Sequence, residues 1–389
     1  MTDFAVVLIG GSHDARSDPL AQALYHRAAD LAGCGENFSV LSELGFSAPG
    51  TNTRAVAVIF CHKAMAGDSL AAIDTCRTAG IPMVPVVADL TTFTDVAPEA
   101  VKDFNGFELK DDSADAGFEG DISELAGFVL EMLGLQRTKR KIFISYARRD
   151  ATNVALQLRQ AFSARFYSVF LDTVAIRPGA MFQEELLQEL ADSDVVVLLN
   201  SPSIKNRPYV QKEIAFADQA GLGGVQVVWP DVAPLREGAF FSPVQLESQT
   251  AAVAGGNVDK LTPKGLLEVV RRVADLRTKL QQMREEHVVK HVREYAQANG
   301  WQMLRYLGRH IELRKGSDRM HLNLALGVPT SQDIEQTVRS AHPQPPAGRL
   351  VYHPLGITSR QAEHLEFLRA KLGLEYLDPT TALQWDILP

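Results

Sequence analysis

Cysteine is scarce: the 389-residue chain holds three, Cys34, Cys61 and Cys76. An odd number without paired zinc-ligand spacing excludes a disulfide framework and a zinc module, and reads as reduced thiols in a cytoplasmic protein. Long apolar runs are missing as well. None approaches the roughly 20 residues that cross a bilayer. The opening MTDFAVVLIGGSHD has an acid at Asp3 and only a short apolar stretch, so it reads as a buried strand and not as a secretory signal. Basic charge is not in excess, since 39 Lys and Arg face 47 Asp and Glu for a formal net charge of -8. Phosphate backbones are held by surplus Lys and Arg, so neither nucleic acid nor a membrane is an expected partner. What remains is ordinary globular composition, 46% hydrophobic and 22% charged, at a length that suits two or three domains.

Short unbroken apolar runs at 5–9, 55–61 and 83–87 alternate with helical periodicity at 18–32, 68–79 and 121–133. Runs of this kind are buried on both faces of a parallel sheet. The basic stretch 134–141 is expected to be a solvated linker and not a nucleic-acid patch. The alternation then repeats, with strands at 141–146, 168–171, 194–200 and 225–229 and helices at 152–164, 181–191 and 209–220. The two halves read as successive flavodoxin-like parallel-sheet domains, related by divergent duplication or by a shared common architecture. Segment 262–298 is helical almost without a breaker, which predicts a connecting stalk or a coiled-coil contact. A strand meander at 303–307, 311–314 and 320–326 follows, then helix, strand, helix and strand. The fold class is therefore α/β: two flavodoxin-like domains, a long helix and a small α/β C-terminal domain. The expected domain bounds are 1–136, 140–280 and 281–389.

The second domain carries the residues of chemical interest. Ligands of open α/β sheets sit beyond the carboxyl ends of the strands. Tyr146, Arg148 and Ser201 each follow a strand end, and Glu213 lies one helical turn after Tyr209. In order along the chain come Ile142, Phe143, Ile144, Ser145 and Tyr146; the turn residues Arg148, Arg149 and Asp150; the strand from Ser168 to Asp172; Arg177, Pro178, Gly179 and Phe182; Asp192, Ser193 and Asp194; then Asn200, Ser201 and Pro202; and last Tyr209 with Glu213. This series resembles the TIR (Toll/interleukin-1 receptor) domain family, and within it the bacterial branch that consumes NAD+. Tyr209 stands where that branch more often has Trp. Ala147 separates Tyr146 from the arginine pair by one residue more than in some relatives.

The resemblance implies cleavage of the nicotinamide–ribose bond of NAD+, a substrate and not a cofactor, with no metal. The leaving group is already cationic, so no general acid is needed. What a site must supply is stabilisation of an oxocarbenium-like ribosyl centre. Glu213 is the candidate catalytic carboxylate. Tyr146 is the candidate stacking surface for nicotinamide, or else a core aromatic. Arg148 and Arg149 are candidates for the pyrophosphate, or else surface charges, and Ser145, Ser201 and Tyr209 complete the substrate-binding set. Arg177, Pro178, Gly179 and Phe182 correspond to the loop through which such domains assemble. The implied protein is an assembly-activated NAD+ hydrolase or cyclase of antiviral defence, a homo-oligomer responding to an activating ligand or partner protein. The competing reading of Glu213 is a solvated helix residue paired with Lys212 or Arg207, in a TIR scaffold that recruits partners without catalysis.

The flanking domains carry weaker signals. Gly10, Gly11 and Ser12 follow the first strand and read as a plain turn, or as a backbone cradle for phosphate. The first domain offers no aromatic-x-x-x-Glu equivalent, only Asp74, and reads as a TIR-like or receiver-like domain without catalysis. Gly300, Trp301, Glu312, Ile357 and Thr358 give the C-terminal domain a faint resemblance to the restriction-endonuclease-like fold. Its strand from His321 to Ala325 has neither the acid nor the lysine that would hold Mg2+, which implies a degenerate domain used for sensing or assembly. His310, His321 and His353 lack metal-ligand spacing.

Overall fold

The computed structural model describes residues 4–11, 17–30, 38–43, 46–50, 53–62, 65–110, 118–171, 182–204, 208–254, 257–307, 309–340 and 348–385. The chain divides into two compact units, Met1–Thr138 and Lys139–Pro389.

In the first unit the described elements run β1 (Phe4–Ile9), α1 (Ser17–Asp30), β2 (Phe38–Ser42), β3 (Arg54–Phe60), α2 (Gly67–Thr78), β4 (Met83–Val87), α3 (Phe93–Val96), β5 (Phe107–Glu108) and α4 (Phe118–Met132). All strand pairs are parallel, in the order β2-β1-β3-β4-β5. The unbroken apolar runs become the central strands because both faces are covered. Val7, Ile9, Ala57 and Ile59 pack with Ala72, Ile73 and Cys76, while Leu20, Leu24, Leu125 and Val129 are fully buried on α1 and α4. Burial pushes the Cys76 thiol up to about 11. Cys61 is likewise a buried thiol, and Cys34 lies outside the described residues.

The second unit opens with β6 (Lys141–Tyr146), α5 (Thr152–Ser163), β7 (Ser168–Leu171), α6 (Phe182–Ala191), β8 (Val195–Asn200), α7 (Pro208–Gln219), β9 (Gly224–Val228) and β10 (Ser242–Gln245). These strands form a second parallel sheet, β10-β9-β8-β6-β7. Taken from its other end, it repeats the order of the first sheet. A hairpin of β11 (Ala251–Ala254) and β12 (Asn257–Leu261) then leads into α8 (Pro263–Ala298), whose first turn is capped by Thr262 through a bond from Gly265 N.

Alternation along the strands sorts the second sheet into two faces. Ile142, Ile144, Tyr146, Val195, Val197, Leu199, Val225 and Val227 face α5 and the start of α8. Phe143, Val196 and Leu198 face α6 and α7.

Helix α8, expected to be a connecting stalk or a coiled-coil contact, connects two cores and packs into both. Val269, Val270 and Val273 enter the core of the second sheet, and Val288, Val289, Val292, Tyr295 and Ala296 enter the C-terminal core. Between them lies a buried polar stretch, Arg277, Thr278, Gln281 and Glu285. Two cores share one helix, so the expected boundary at 280/281 falls inside a continuous element.

The basic stretch before β6 also departs from expectation. Lys139 and Lys141 reach Asp192 at 2.8 and 2.6 Å, and the Arg140 guanidinium lies 5.5 Å from the Tyr167 ring centroid. Asp194 accepts from Arg277 Nε at 2.8 Å, with the two side chains only 1% and 3% exposed. Carboxylates at the amino end of β8 thus draw this stretch onto the fold. The opposing pulls on Lys141 are burial, which lowers its pKa, and the carboxylates of Asp192 and Glu189; the carboxylates prevail and the pKa rises.

The C-terminal part comprises β13 (Gln302–Leu307), β14 (His310–Lys315), β15 (Asp318–Ala325), α9 (Ser331–Ser340), β16 (Arg349–Tyr352), α10 (Ser359–Leu372) and β17 (Glu375–Leu377). Its sheet runs in sequence order, antiparallel from β13 to β15 and parallel from β15 to β17. Glu312 pairs with Arg319 at 2.8 Å. His310 and His321 stack across β14 and β15, with ring nitrogens 3.2 Å apart. Among the described residues no helix is long and apolar enough to cross a membrane.

Candidate active site

Helix α7 sets the site. Val210, Ile214 and Ala217 form its buried stripe against the sheet, and Glu213 falls in the same stripe, three residues after Val210. A charged residue there is held out of water, and Glu213 is 3% exposed. It is therefore no solvated surface carboxylate. One partner is Ser145, the fifth residue of β6, whose hydroxyl donates to Glu213 Oε2 at 2.5 Å. Ser145 is on the α6–α7 face because it alternates with Ile144 and Tyr146. Register places Ser145 beside Leu198, and Leu198 beside Gln226, so Glu213 is anchored near the carboxyl ends of three central strands.

The same row carries further buried polar groups. Asn200 Nδ2 donates to Gln226 Oε1 at 2.9 Å and to the Ala233 carbonyl at 3.0 Å. Leu235 N donates to Gln226 Oε1 at 2.7 Å. These bonds fix the loop after β9. Neither Gln226 nor its loop stands out in the sequence, although a glutamine inside an otherwise apolar strand is the signal that could have found it.

Parity decides the other candidates. Tyr146 is one residue beyond Ser145 and so faces the opposite way, 2% exposed within the core formed with α5 and α8. The stacking role needs an accessible ring, and in this placement Tyr146 is a core aromatic. Ser201 is fully buried and donates to Asp150 Oδ1 at 2.6 Å, so its hydroxyl proton is engaged within the protein. Asp150 Oδ2 also accepts from Ser203 N at 2.9 Å, and the Asp150 carbonyl accepts from Asn257 Nδ2 at 2.8 Å. Asp150 therefore ties the loop before α5 to the loop before α7. Its structural role was not foreseen, and an acid between a strand end and a helix start is the available cue.

Arg148 and Arg149 are exposed. Both line a cleft of about 180 Å3 with Asn153, Asn257 and Asp259, bounded by the start of α5 and the β11–β12 hairpin. They converge with each other at the carboxyl end of β6. Tyr209 lies in the first turn of α7 and Phe182 opens α6, but their side chains lie outside the described residues, as do Arg177, Pro178 and Gly179. Among the described residues no group of three or more His, Cys, Asp or Glu is arranged to hold a metal ion.

In the first unit, Gly10 has φ +74°, and a Cβ on it would lie 2.5 Å from the Phe60 carbonyl oxygen, so the turn demands glycine. Its amide donates to Glu43 Oε2 at 2.5 Å, and Ser69 Oγ donates to the same oxygen at 2.9 Å. The Gly10 amide is thus already taken up by a carboxylate, and Ser12 lies outside the described residues. The plain turn is the reading that fits.

Residues 142–250 match the family model described as TIR domain. No curated protein matches the sequence. Among solved structures, tagatose-6-phosphate ketose/aldose isomerase from Escherichia coli is 12% identical, with 72% of this chain and 82% of that chain covered at a TM-score of 0.21. A LacI family transcriptional regulator from Silicibacter pomeroyi is 13% identical, with 71% and 92% covered at a TM-score of 0.18. Likeness at that level carries nothing about architecture or activity. The family match spans the second parallel sheet and the helix that bears Glu213, and residues 142–250 of this chain are a TIR domain.

Proposed function

We propose that the TIR domain cleaves the nicotinamide–ribose bond of NAD+, with Glu213 as the catalytic carboxylate. The observation that supports this most is the buried Ser145–Glu213 pair at the carboxyl edge of the sheet. A carboxylate held out of water interacts more strongly with a nearby cation than one in solvent. As the C–N bond breaks, nicotinamide departs neutral with the bonding electrons, and the ribosyl centre becomes cationic. Glu213 stabilises that centre electrostatically, and Ser145 orients the carboxylate. Water captures the ribosyl carbon and loses a proton, giving ADP-ribose; capture by adenine gives a cyclic product. Arg148 and Arg149 offer forked donors suited to a pyrophosphate, from a cleft beside α5 and the β11–β12 hairpin that Glu213 does not line.

At 3% exposure Glu213 is reached only when groups over it move. That fits a site opened by assembly of further copies through the 173–182 loop, as expected of an antiviral effector that is silent until triggered. The test is nicotinamide release from NAD+, followed by chromatography at dilute and at assembling protein concentrations. Release that rises steeply with concentration and vanishes in Glu213→Ala supports the reading. Absence of release under every assembling condition favours a TIR scaffold without catalysis.

A further inference from the structure

We propose that a cavity between the end of α7, the middle of α8 and the loops after β15 and β16 binds a small anionic molecule with an apolar body, about the size of a nucleoside monophosphate. Its volume is about 310 Å3, at the lower end of the range for small-molecule sites. β15 and β16 are parallel neighbours, so their carboxyl ends open on the same side, where α/β sheets commonly take ligands. Val288, Leu326 and Leu355 supply apolar wall, while Arg284, His287 and His353 supply basic groups. Among the described residues Asp218 is the one acid in the lining. The Arg284 guanidinium, with two imidazoles that can donate hydrogen bonds and take up protons beside an anion, favours an anionic ligand over a cationic one.

The basic groups are held in place. Arg284 donates to the Ser193 and Ala191 carbonyls at 3.1 and 3.2 Å, which fixes its charge in the wall. His353 Nδ1 accepts from Leu355 N at 3.0 Å. The neutral ring therefore carries its proton on Nε2 and can donate from there. Burial, then the neighbouring His291 and Lys290, lowers the His287 pKa against the pull of Glu294. Burial also lowers that of His353, with Asp378 pulling the other way and His287, Arg284 and His291 adding to the drop. Burial thus works against the charged form of both imidazoles in the empty cavity. An anion among them favours their protonated forms, so binding takes up protons and strengthens as pH falls.

The cavity also bears on the TIR helix. Asp218 lies five residues after Glu213 on α7. The loops beside the cavity are clamped to the TIR domain: Thr358 N donates to Gln188 Oε1 at 3.0 Å, and Val328 N to Asp192 Oδ1 at 3.3 Å. A Cβ on Gly356 would lie 2.6 Å from Ala191 Cβ and 2.9 Å from the Phe216 ring. A ligand that orders these loops also orders the end of α7.

The experiment is calorimetric titration of the full chain with AMP, inorganic phosphate and benzoate at roughly pH 6 and pH 8, together with hydrogen exchange of 208–219. AMP is expected to bind once per chain, roughly tenfold tighter at the lower pH, and to slow exchange in α7. The double variant His287→Gln, His353→Asn weakens binding by at least about tenfold and removes the pH dependence. Met283→Trp, placed at a rim position that is 63% exposed, blocks binding without touching the clamps. Asp218→Asn tightens it about threefold. Absence of binding by all three probes overturns the proposal. So does binding that survives both the histidine and Met283 variants but is lost in Arg148→Ala, because the ligand is then in the other cleft. None of these readouts needs NAD+ turnover, so their outcome is separate from the fate of the catalytic reading.

Discussion

The two parallel sheets share one strand order, and each buries a glutamate near its carboxyl edge, yet the two carboxylates are held differently. Glu43 follows β2 and takes a backbone amide from Gly10 together with the Ser69 hydroxyl, so it stitches the first turn to β2 and α2. Glu213 arrives from a helix, inside an apolar stripe, and meets the rotatable hydroxyl of Ser145. A carboxylate bonded to a main-chain amide cannot change partner without moving the fold. A hydroxyl can rotate with a carboxylate that turns, once the groups covering Glu213 have moved. Architecture is common to both units, and the manner of anchoring separates a structural acid from the one proposed for catalysis.

The amino edge offers the largest perturbation that spares the catalytic edge. Asp194→Ala leaves Arg277 buried without its carboxylate and is expected to cost the second unit about 3–5 kcal/mol. Denaturant unfolding followed by hydrogen exchange should show β6 and β8 losing protection while β1 and β3 keep theirs. Equal loss in both sheets would break the comparison. Glu43→Gln weakens a charge-assisted bond to a main-chain amide and should cost the first unit roughly 1.5–3 kcal/mol, read as a lower melting temperature. Ser145→Ala is expected to lower kcat for nicotinamide release about tenfold with KM little changed, since Ser145 is a positioning residue. A rise in KM alone would assign it to substrate binding instead.

The smallest effect concerns Glu285, which accepts a short hydrogen bond from Tyr306. Burial raises its pKa, against the pull of Tyr306 and Arg309. The stability it contributes is full below the unfolded value of about 4.3 and is lost as pH rises through the folded value. Glu285→Gln should therefore match or exceed the parent by up to about 1 kcal/mol near neutral pH, with the advantage shrinking as the medium becomes acidic. Thermal melts across pH check this.

The central strands and most helices were legible because two-sided burial writes unbroken apolar runs into the sequence. β2 escaped notice because Phe38–Ser42 is an edge strand with one buried residue, and β5 because it has two residues. Glu213 was visible through Tyr209 one helical turn before it and through the family resemblance, while its place in the Val210, Ile214 and Ala217 stripe emerged from the fold. Tyr146 and Ser145 were both assigned to substrate binding, although adjacent strand residues face opposite ways, and that parity was readable without coordinates. The role of α8 was not. Its polar middle looks solvated until Asp194 and Tyr306, distant in sequence, arrive beside Arg277 and Glu285.

The most direct trial of the catalytic assignment is a paired assay of nicotinamide release by assembled Glu213→Gln and Glu43→Gln proteins. The first is expected to lose at least about a hundredfold in rate while remaining folded, and the second to keep the parent rate. Undiminished release by Glu213→Gln would contradict the assignment outright.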